Sequence, residues 1–257
     1  MISYFRDGRL YEAESFLSAV KLDSADCPVI AAVGAGGKTS TLRRMAEEYA
    51  SSGRKAIVLT TTHMREETTL WSCVAEEEEW LREGTVLLDQ VKKCLEQYGQ
   101  VWIGTKAKKG KMSSVPETIL KEIEKWKIPL LVEADGARML PLKVPGEQEP
   151  VILPQTTHVF SVYGMDALDQ KLEEICFRSE KAAELLGKMP EDKVTEEDLV
   201  KLACHEQGGR KGCLKQAEYV VVLNKADTKE LQERACKIAK CLHENGIKNI
   251  FVTSYML

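Results

Sequence analysis

The side chains best suited to chemistry fall in three short stretches. The first is Gly34-Ala35-Gly36-Gly37-Lys38-Thr39-Ser40, which follows the apolar run at 29–33. Glycines allow a sharp turn that points backbone N–H groups inward. Beyond it, Leu42, Met45, Ala46 and Tyr49 share one face of an expected helix running from Thr39 to about Ala50. A helix N-terminus carries free N–H groups and partial positive charge, so it draws phosphate. Lys38 is expected on the outer phosphates of a nucleotide, and the Thr39 hydroxyl on Mg²⁺. With no nucleotide bound, that lysine is expected to face solvent; the competing reading is a plain glycine turn with Lys38 solvated.

The second stretch is Leu130-Leu131-Val132-Glu133-Ala134-Asp135-Gly136-Ala137-Arg138. An apolar strand ending in carboxylates can deliver an acid to a Mg²⁺ shell. Asp135 is the first choice for the metal. Glu133 is the alternative, or the group that orients attacking water. An Asp-Gly turn is the competing reading. The third stretch, Asn224-Lys225-Ala226-Asp227, ends the apolar run at 219–223. In P-loop GTPases a late Asn-Lys-x-Asp reads the guanine ring, with the aspartate accepting from N1 and N2. The polar turn at Thr253-Ser254 is expected nearby. Asn and Asp also suit any turn, so position carries this reading more than composition.

The elements that must hold these groups alternate between strand and helix. Residues 55–63 read as a second strand, with Thr60, Thr61, Thr62 and His63 at its carboxyl end, where open α/β sheets bind ligands. Thr62, His63, Arg138 and Lys143 are candidates for a second substrate. The prolines at 141, 145, 150 and 154 stiffen a loop expected over the active face, which also holds Glu147 and Glu149. Leu10, Phe16, Leu17 and Val20 suggest a helix before the first core strand. Residues 64–127 read as a less regular insertion, with Val86-Leu87-Leu88 as a short strand and a helix from Pro116 to Trp126. Thr195 and Asp198 make a capping pattern, and Gly208-Gly209-Arg210-Lys211-Gly212 a flexible basic loop. The expected fold is a three-layer α/β P-loop NTPase with a mostly parallel sheet, 1–257 forming one domain.

Composition sets outer bounds. A net charge of −4 argues against bulk nucleic-acid binding. No apolar run is long enough for a membrane span, and the first residues lack a signal-peptide core. A cytoplasmic location is expected. The eight cysteines are scattered without a Cys-x-x-Cys pair, which favours free thiols over zinc.

The loop departs from the full phosphate-loop spacing, because Ala32 stands where the first glycine belongs. The shorter pattern resembles that of Mur-type ligases. More of the chain resembles the YqeC family, selenium cofactor biosynthesis proteins also described as selenium-dependent hydroxylase accessory proteins. The resemblance rests on Val33 through Thr39, on Thr60-Thr61-Thr62-His63 and on the segment from Leu131 to Arg138. It continues through Pro141-Leu142-Lys143-Val144-Pro145, Glu149-Pro150-Val151-Ile152 and Leu223 to Asp227. Phe177-Arg178-Ser179 departs from an expected His-Arg-Pro. The resemblance implies a role in maturing selenium-dependent molybdenum hydroxylases, with a selenium or molybdenum-cofactor species or a hydroxylase client as partner.

The expected activity is Mg²⁺-dependent binding and hydrolysis of a nucleoside triphosphate, GTP in preference to ATP. Lys38, Glu133 and Asp135 are its catalytic candidates. Two alternatives stand beside it: an ATP-dependent ligase or kinase activating a small acid or selenium species, and a nucleotide-gated delivery protein with little turnover.

Overall fold

The computed structural model describes residues 1–22 and 27–255. The apolar runs form buried strands, because a parallel strand is covered on both faces and needs no polar alternation. In chain order the elements begin with β1 (Ile2–Arg6), β2 (Arg9–Glu12), α1 (Phe16–Ala19), β3 (Val29–Gly34) and α2 (Lys38–Ser51). Next come β4 (Ala56–Thr60), β5 (His63–Arg65), β6 (Ser72–Ala75), α3 (Glu77–Tyr98), β7 (Gln100–Ala107) and β8 (Lys111–Ser113). Then follow α4 (Glu117–Glu124), β9 (Leu130–Glu133), β10 (Leu142–Lys143), β11 (His158–Gly164), α5 (Leu172–Ile175) and β12 (Cys176–Phe177). The chain closes with α6 (Ser179–Leu186), α7 (Glu196–Cys204), β13 (Glu218–Asn224), α8 (Lys229–Glu244) and β14 (Asn249–Thr253).

The result is an α/β fold with one large, mostly parallel mixed sheet. Its order is β2-β1-β14-β13-β11-β3-β9-β4-β7-β8-β5, with β6 also on β7. The strands from β14 to β7 are mutually parallel. Antiparallel pairs finish both edges.

Helices cover both faces. On one, Leu42, Met45, Ala46 and Tyr49 of α2 pack with Phe16 and Leu17 against Ile30, Ala32, Leu131, Phe160 and Val222. On the other, α3 and α4 cover Val29, Ile57, Leu59 and Val132. On the same side α6, α7 and α8 cover Val221, Leu223, Ile250 and Val252. Strand alternation sends Ile30 and Val29 to opposite helices.

The chain leaves β3 through α2 for β4, returns to β9 beside β3, then crosses to β11 on the other flank. Ligands in open α/β sheets bind at the carboxyl ends of strands where the order reverses in this way. Register brings those ends together: Glu133 lies between Ala32 and Thr60, Gly34 beside Val162, and Gly164 beside Asn224.

Several expectations need correction. The N-terminal segment is a hairpin on β14 with only one turn of helix at Phe16–Ala19. Val86, Leu87 and Leu88 lie inside α3, whose buried Trp80, Leu88, Val91 and Leu95 keep helical spacing. The strand before His63 stops at Thr60, and His63 belongs to the separate strand β5. The Thr195–Asp198 cap is present in both directions.

Candidate functional site

Gly34, Gly36 and Gly37 all have positive φ, which an L side chain rarely adopts. Space is equally restrictive at all three: a Cβ on Gly34 would lie 2.5 Å from the Val162 carbonyl oxygen. A Cβ on Gly36 would lie 2.2 Å from the Gly164 nitrogen, and one on Gly37 would lie 2.1 Å from Asn224 Nδ2. The loop is therefore wedged between β11 and β13. Gly37 is the N-cap of α2 and has no side chain to satisfy the helix amides. The N–H groups of Gly37, Lys38, Thr39 and Ser40 have no acceptor among the described residues. Those of Ala35 and Gly36 donate to the carbonyls of Val162 at 2.9 Å and Leu140 at 3.2 Å.

At the start of α2 the Thr39 hydroxyl donates to Glu133 Oε2 at 2.6 Å. Glu133 closes β9 and is buried. Lys38 is only 4% exposed and donates to the Gly34 carbonyl at 2.7 Å. Its ammonium also lies 3.1 Å from Asp135 Oδ1. The expected solvent-facing lysine is thus wrong, because the carboxylate one bend past β9 draws it inward.

Asp135 is 1% exposed and sits in a nest of positive groups. Oδ2 accepts from the Gly34 N–H at 3.1 Å and pairs with Lys143 Nζ at 3.0 Å. Oδ1 is within ion-pair distance of Lys38 but has no hydrogen bond. Lys143 is saturated: its ammonium also meets Glu149 Oε2 at 2.7 Å and the Gly136 carbonyl at 2.6 Å. Arg178 donates to the same Glu149 oxygen at 2.9 Å and to the Val144 carbonyl at 3.1 Å. Lys211 donates to the Glu147 carbonyl at 3.0 Å and to that of Gly146. The proline loop is therefore tied to the body by buried charge. The glycine-rich 208–212 loop packs onto it rather than hanging free.

These contacts shift the titrating groups. Burial works against the Lys38 charge, but Asp135 and then Glu133 outweigh it and raise its pKa above 10.5. Burial raises the pKa of Glu133, and Lys38 and the Thr39 hydroxyl offset that only in part. Burial also opposes ionisation of Glu149, yet Arg178 and Lys143 prevail and hold it at about 2. Asp135 has two ammonium groups at about 3 Å, so a further cation beside it would be repelled. Glu133 lacks full compensation, and its oxygen beside a hydroxyl oxygen suits a hard cation. A hard cation would therefore suit Thr39 and Glu133 better than Asp135. The described residues hold no cluster of three His, Cys, Asp or Glu side chains able to cage a metal.

The late motif reaches the same loop. Asn224 is buried, donates to the Gly36 carbonyl at 2.8 Å and accepts from the Thr253 hydroxyl at 2.8 Å. Asp227 accepts from the Ser254 hydroxyl. Lys225 has a positive φ and pairs with Asp166 at 2.6 Å, a partner that sequence reading missed. Among the second-substrate candidates, Arg138 is exposed and stacks on Phe177 at 4.6 Å, with Arg178 on the same ring at 4.2 Å. Phe177 fills the place where a histidine was expected. Thr62 has a buried hydroxyl without a hydrogen-bond partner. His63 is exposed and paired in register with Ser113, apart from the charged cluster.

The cysteines are free, and burial raises the pKa values of Cys73, Cys94, Cys176, Cys204 and Cys213. No helix among the described residues is long and apolar enough to cross a membrane.

Comparison with known proteins adds two findings. The family model described as YqeC protein matches residues 30–180, from the glycine loop through the carboxylates and the proline loop. The uncharacterized protein YqeC of Escherichia coli (strain K12) is 31% identical over 227 residues, covering 87% of this chain and 86% of the relative. The 224–227 motif lies outside the family match but belongs to the same structural unit as the glycine loop. Family match and relative agree, and the chain belongs to the YqeC family.

Proposed function

We propose that this protein is a P-loop NTPase that binds a nucleoside triphosphate with Mg²⁺, prefers GTP to ATP and hydrolyses it. The observation that carries the reading is the 2.6 Å pair between Thr39, on the first turn of α2, and Glu133, at the end of the neighbouring strand. A hydroxyl after the phosphate lysine and a carboxylate from the adjacent strand form the oxygen pair that a nucleotide-bound Mg²⁺ needs. Unpaired amides at the start of α2 supply the anion-binding end. Mg²⁺ would neutralise charge on the phosphates. Lys38 and the loop amides would hold and orient them.

Guanine preference is supported by how Asn224 and Asp227 are held. Thr253 and Ser254, on the last strand and just past it, each fix one of them, while Asn224 also grips the glycine loop. On this reading the Asp227 carboxylate would accept from guanine N1–H and N2–H₂, donors that adenine lacks in that geometry. The part of the reading that concerns selenium and molybdenum enzymes rests on the family resemblance alone.

A second reading, ATP-dependent transfer to a small acid or selenium species, draws on one observation. The exposed Arg138 guanidinium has no acidic partner among the described residues and is held by Phe177 three residues beyond Asp135. Phosphate release from GTP tests the main reading. Turnover by the protein alone, lost in Lys38→Met, is expected. Turnover that requires an added acid acceptor would favour the second reading.

A further inference from the structure

We propose that Asp135 is a built-in stand-in for phosphate: its carboxylate closes the anion cradle of the glycine loop and must leave Lys38 before a triphosphate binds. The inference rests on the nucleotide reading above and gives that site a gate.

A phosphate at such a loop takes contacts from backbone N–H groups and from the lysine. Asp135 already takes both kinds. It accepts from the Gly34 N–H at 3.1 Å, lies 3.1 Å from Lys38 and lies 3.0 Å from Lys143, at 1% exposure. Its reach is incomplete: it takes one loop N–H, that of Gly34, and its other oxygen lies 3.1 Å from Lys38. Meanwhile four amides at the start of α2 lack acceptors among the described residues. The acceptor and the free donors of one cradle are thus mismatched, as expected when a carboxylate fills a place shaped for a larger anion.

The same segment covers a further donor. The Leu140 carbonyl takes the Gly36 N–H at 3.2 Å, and the Pro141 carbonyl takes the Gly164 N–H at 3.0 Å. Residues 135–141 therefore obstruct the loop at two points, Gly34 and Gly36. Between the two obstructions, Arg138 and Met139 stand at φ 49° and 63°, a conformation unfavourable for non-glycine residues, and Met139 is 93% exposed. Release of the segment would relieve that strain.

The displaced carboxylate has somewhere to go. Lys143 stays anchored to Glu149, so Asp135 can keep one cation after giving up Lys38 to phosphate. The exchange leaves no buried charge unpaired, which is what keeps its cost low.

The sign of one substitution separates this role from metal binding. If Asp135 held Mg²⁺, Asp135→Asn would weaken binding. As a gate it competes with phosphate, so Asp135→Asn should bind tripolyphosphate and GTP more tightly without Mg²⁺, by about 10-fold, the scale of one charge-assisted hydrogen bond. Isothermal titration of the full chain with each ligand, without Mg²⁺, reads this. Because the variant leaves Lys38 buried without its paired carboxylate, a second measurement uses the unmodified protein. Hydrogen exchange across 135–141 should speed up when tripolyphosphate binds. Equal or weaker binding by Asp135→Asn, or unchanged or slower exchange in a wild type that binds, would overturn the gate and leave the nucleotide site standing. No binding of either ligand by wild type or variant would remove the nucleotide reading, and the gate with it.

Discussion

Thr39 and Glu133 are 94 residues apart in the chain and 2.6 Å apart in the fold. The pair exists because β9 lies directly beside β3, so the end of one strand meets the helix that starts after the other. If it holds Mg²⁺, Glu133→Gln should reduce the Mg²⁺-dependent gain in nucleotide affinity by about 10-fold, with metal-free binding nearly unchanged. Titration with Mg²⁺ and with a chelator distinguishes the two. Burial raises the Glu133 pKa, so a bound cation competes with a proton and Mg²⁺ affinity should rise with pH.

Lys38→Met should abolish tripolyphosphate binding and also lower stability. The lysine is buried on Asp135, so the variant removes one of two cations from a buried carboxylate. Lys143 remains, which keeps the expected loss to about 3 kcal/mol or less. Denaturant unfolding checks this. Unchanged stability would mean that Lys38 is solvated in solution.

Asn224→Ala and Asp227→Asn should act differently. Asn224 links Gly36 to Thr253, and its loss strands two buried polar groups at a cost of about 2 kcal/mol. Nucleotide affinity should fall for every base alike. Asp227→Asn should leave stability almost untouched and move preference from GTP toward XTP, whose C2 carbonyl and N1–H match an amide. A ranking that does not move would reduce Asp227 to a turn residue.

Acid should loosen the proline loop. Glu149 has its pKa held at about 2, below the ordinary 4.5, chiefly because Arg178 and Lys143 outweigh burial. A depressed carboxylate contributes stability above its unfolded pKa and loses it as pH falls. The contribution should therefore be full above about pH 4.5 and fade toward pH 2. Glu149→Gln should flatten the stability profile across that window, measured by denaturant unfolding at each pH.

Much of this arrangement was legible in the sequence because it is local. The unbroken apolar runs of β3, β9 and β13 announce buried strands, and the spacing of Leu42, Met45, Ala46 and Tyr49 announces the helix they face. The glycines before Lys38 announce a tight loop. What could not be read is long-range. No local signal tells that β3 is flanked by β9 and β11 rather than by β4, the next strand in the chain. The different surroundings of Glu133 and Asp135 depend on that order, since both are acids at the end of one apolar run. The burial of Lys38 has the same origin. The Lys143–Glu149–Arg178 network depends on a proline loop that has no periodicity to read. Lys211 lies 65 residues from the Gly146 carbonyl it binds, and the glycines around it read as a flexible loop rather than a packed one.

The central claim is a guanine nucleotide site built on the glycine loop and the 224–227 motif. Equilibrium titration of the full chain with GTP and with ATP, both with Mg²⁺ present, tests it most directly. The account predicts saturable one-to-one binding with GTP clearly tighter than ATP. ATP bound as tightly or more tightly would contradict the guanine assignment, and no binding of either would contradict the nucleotide site itself.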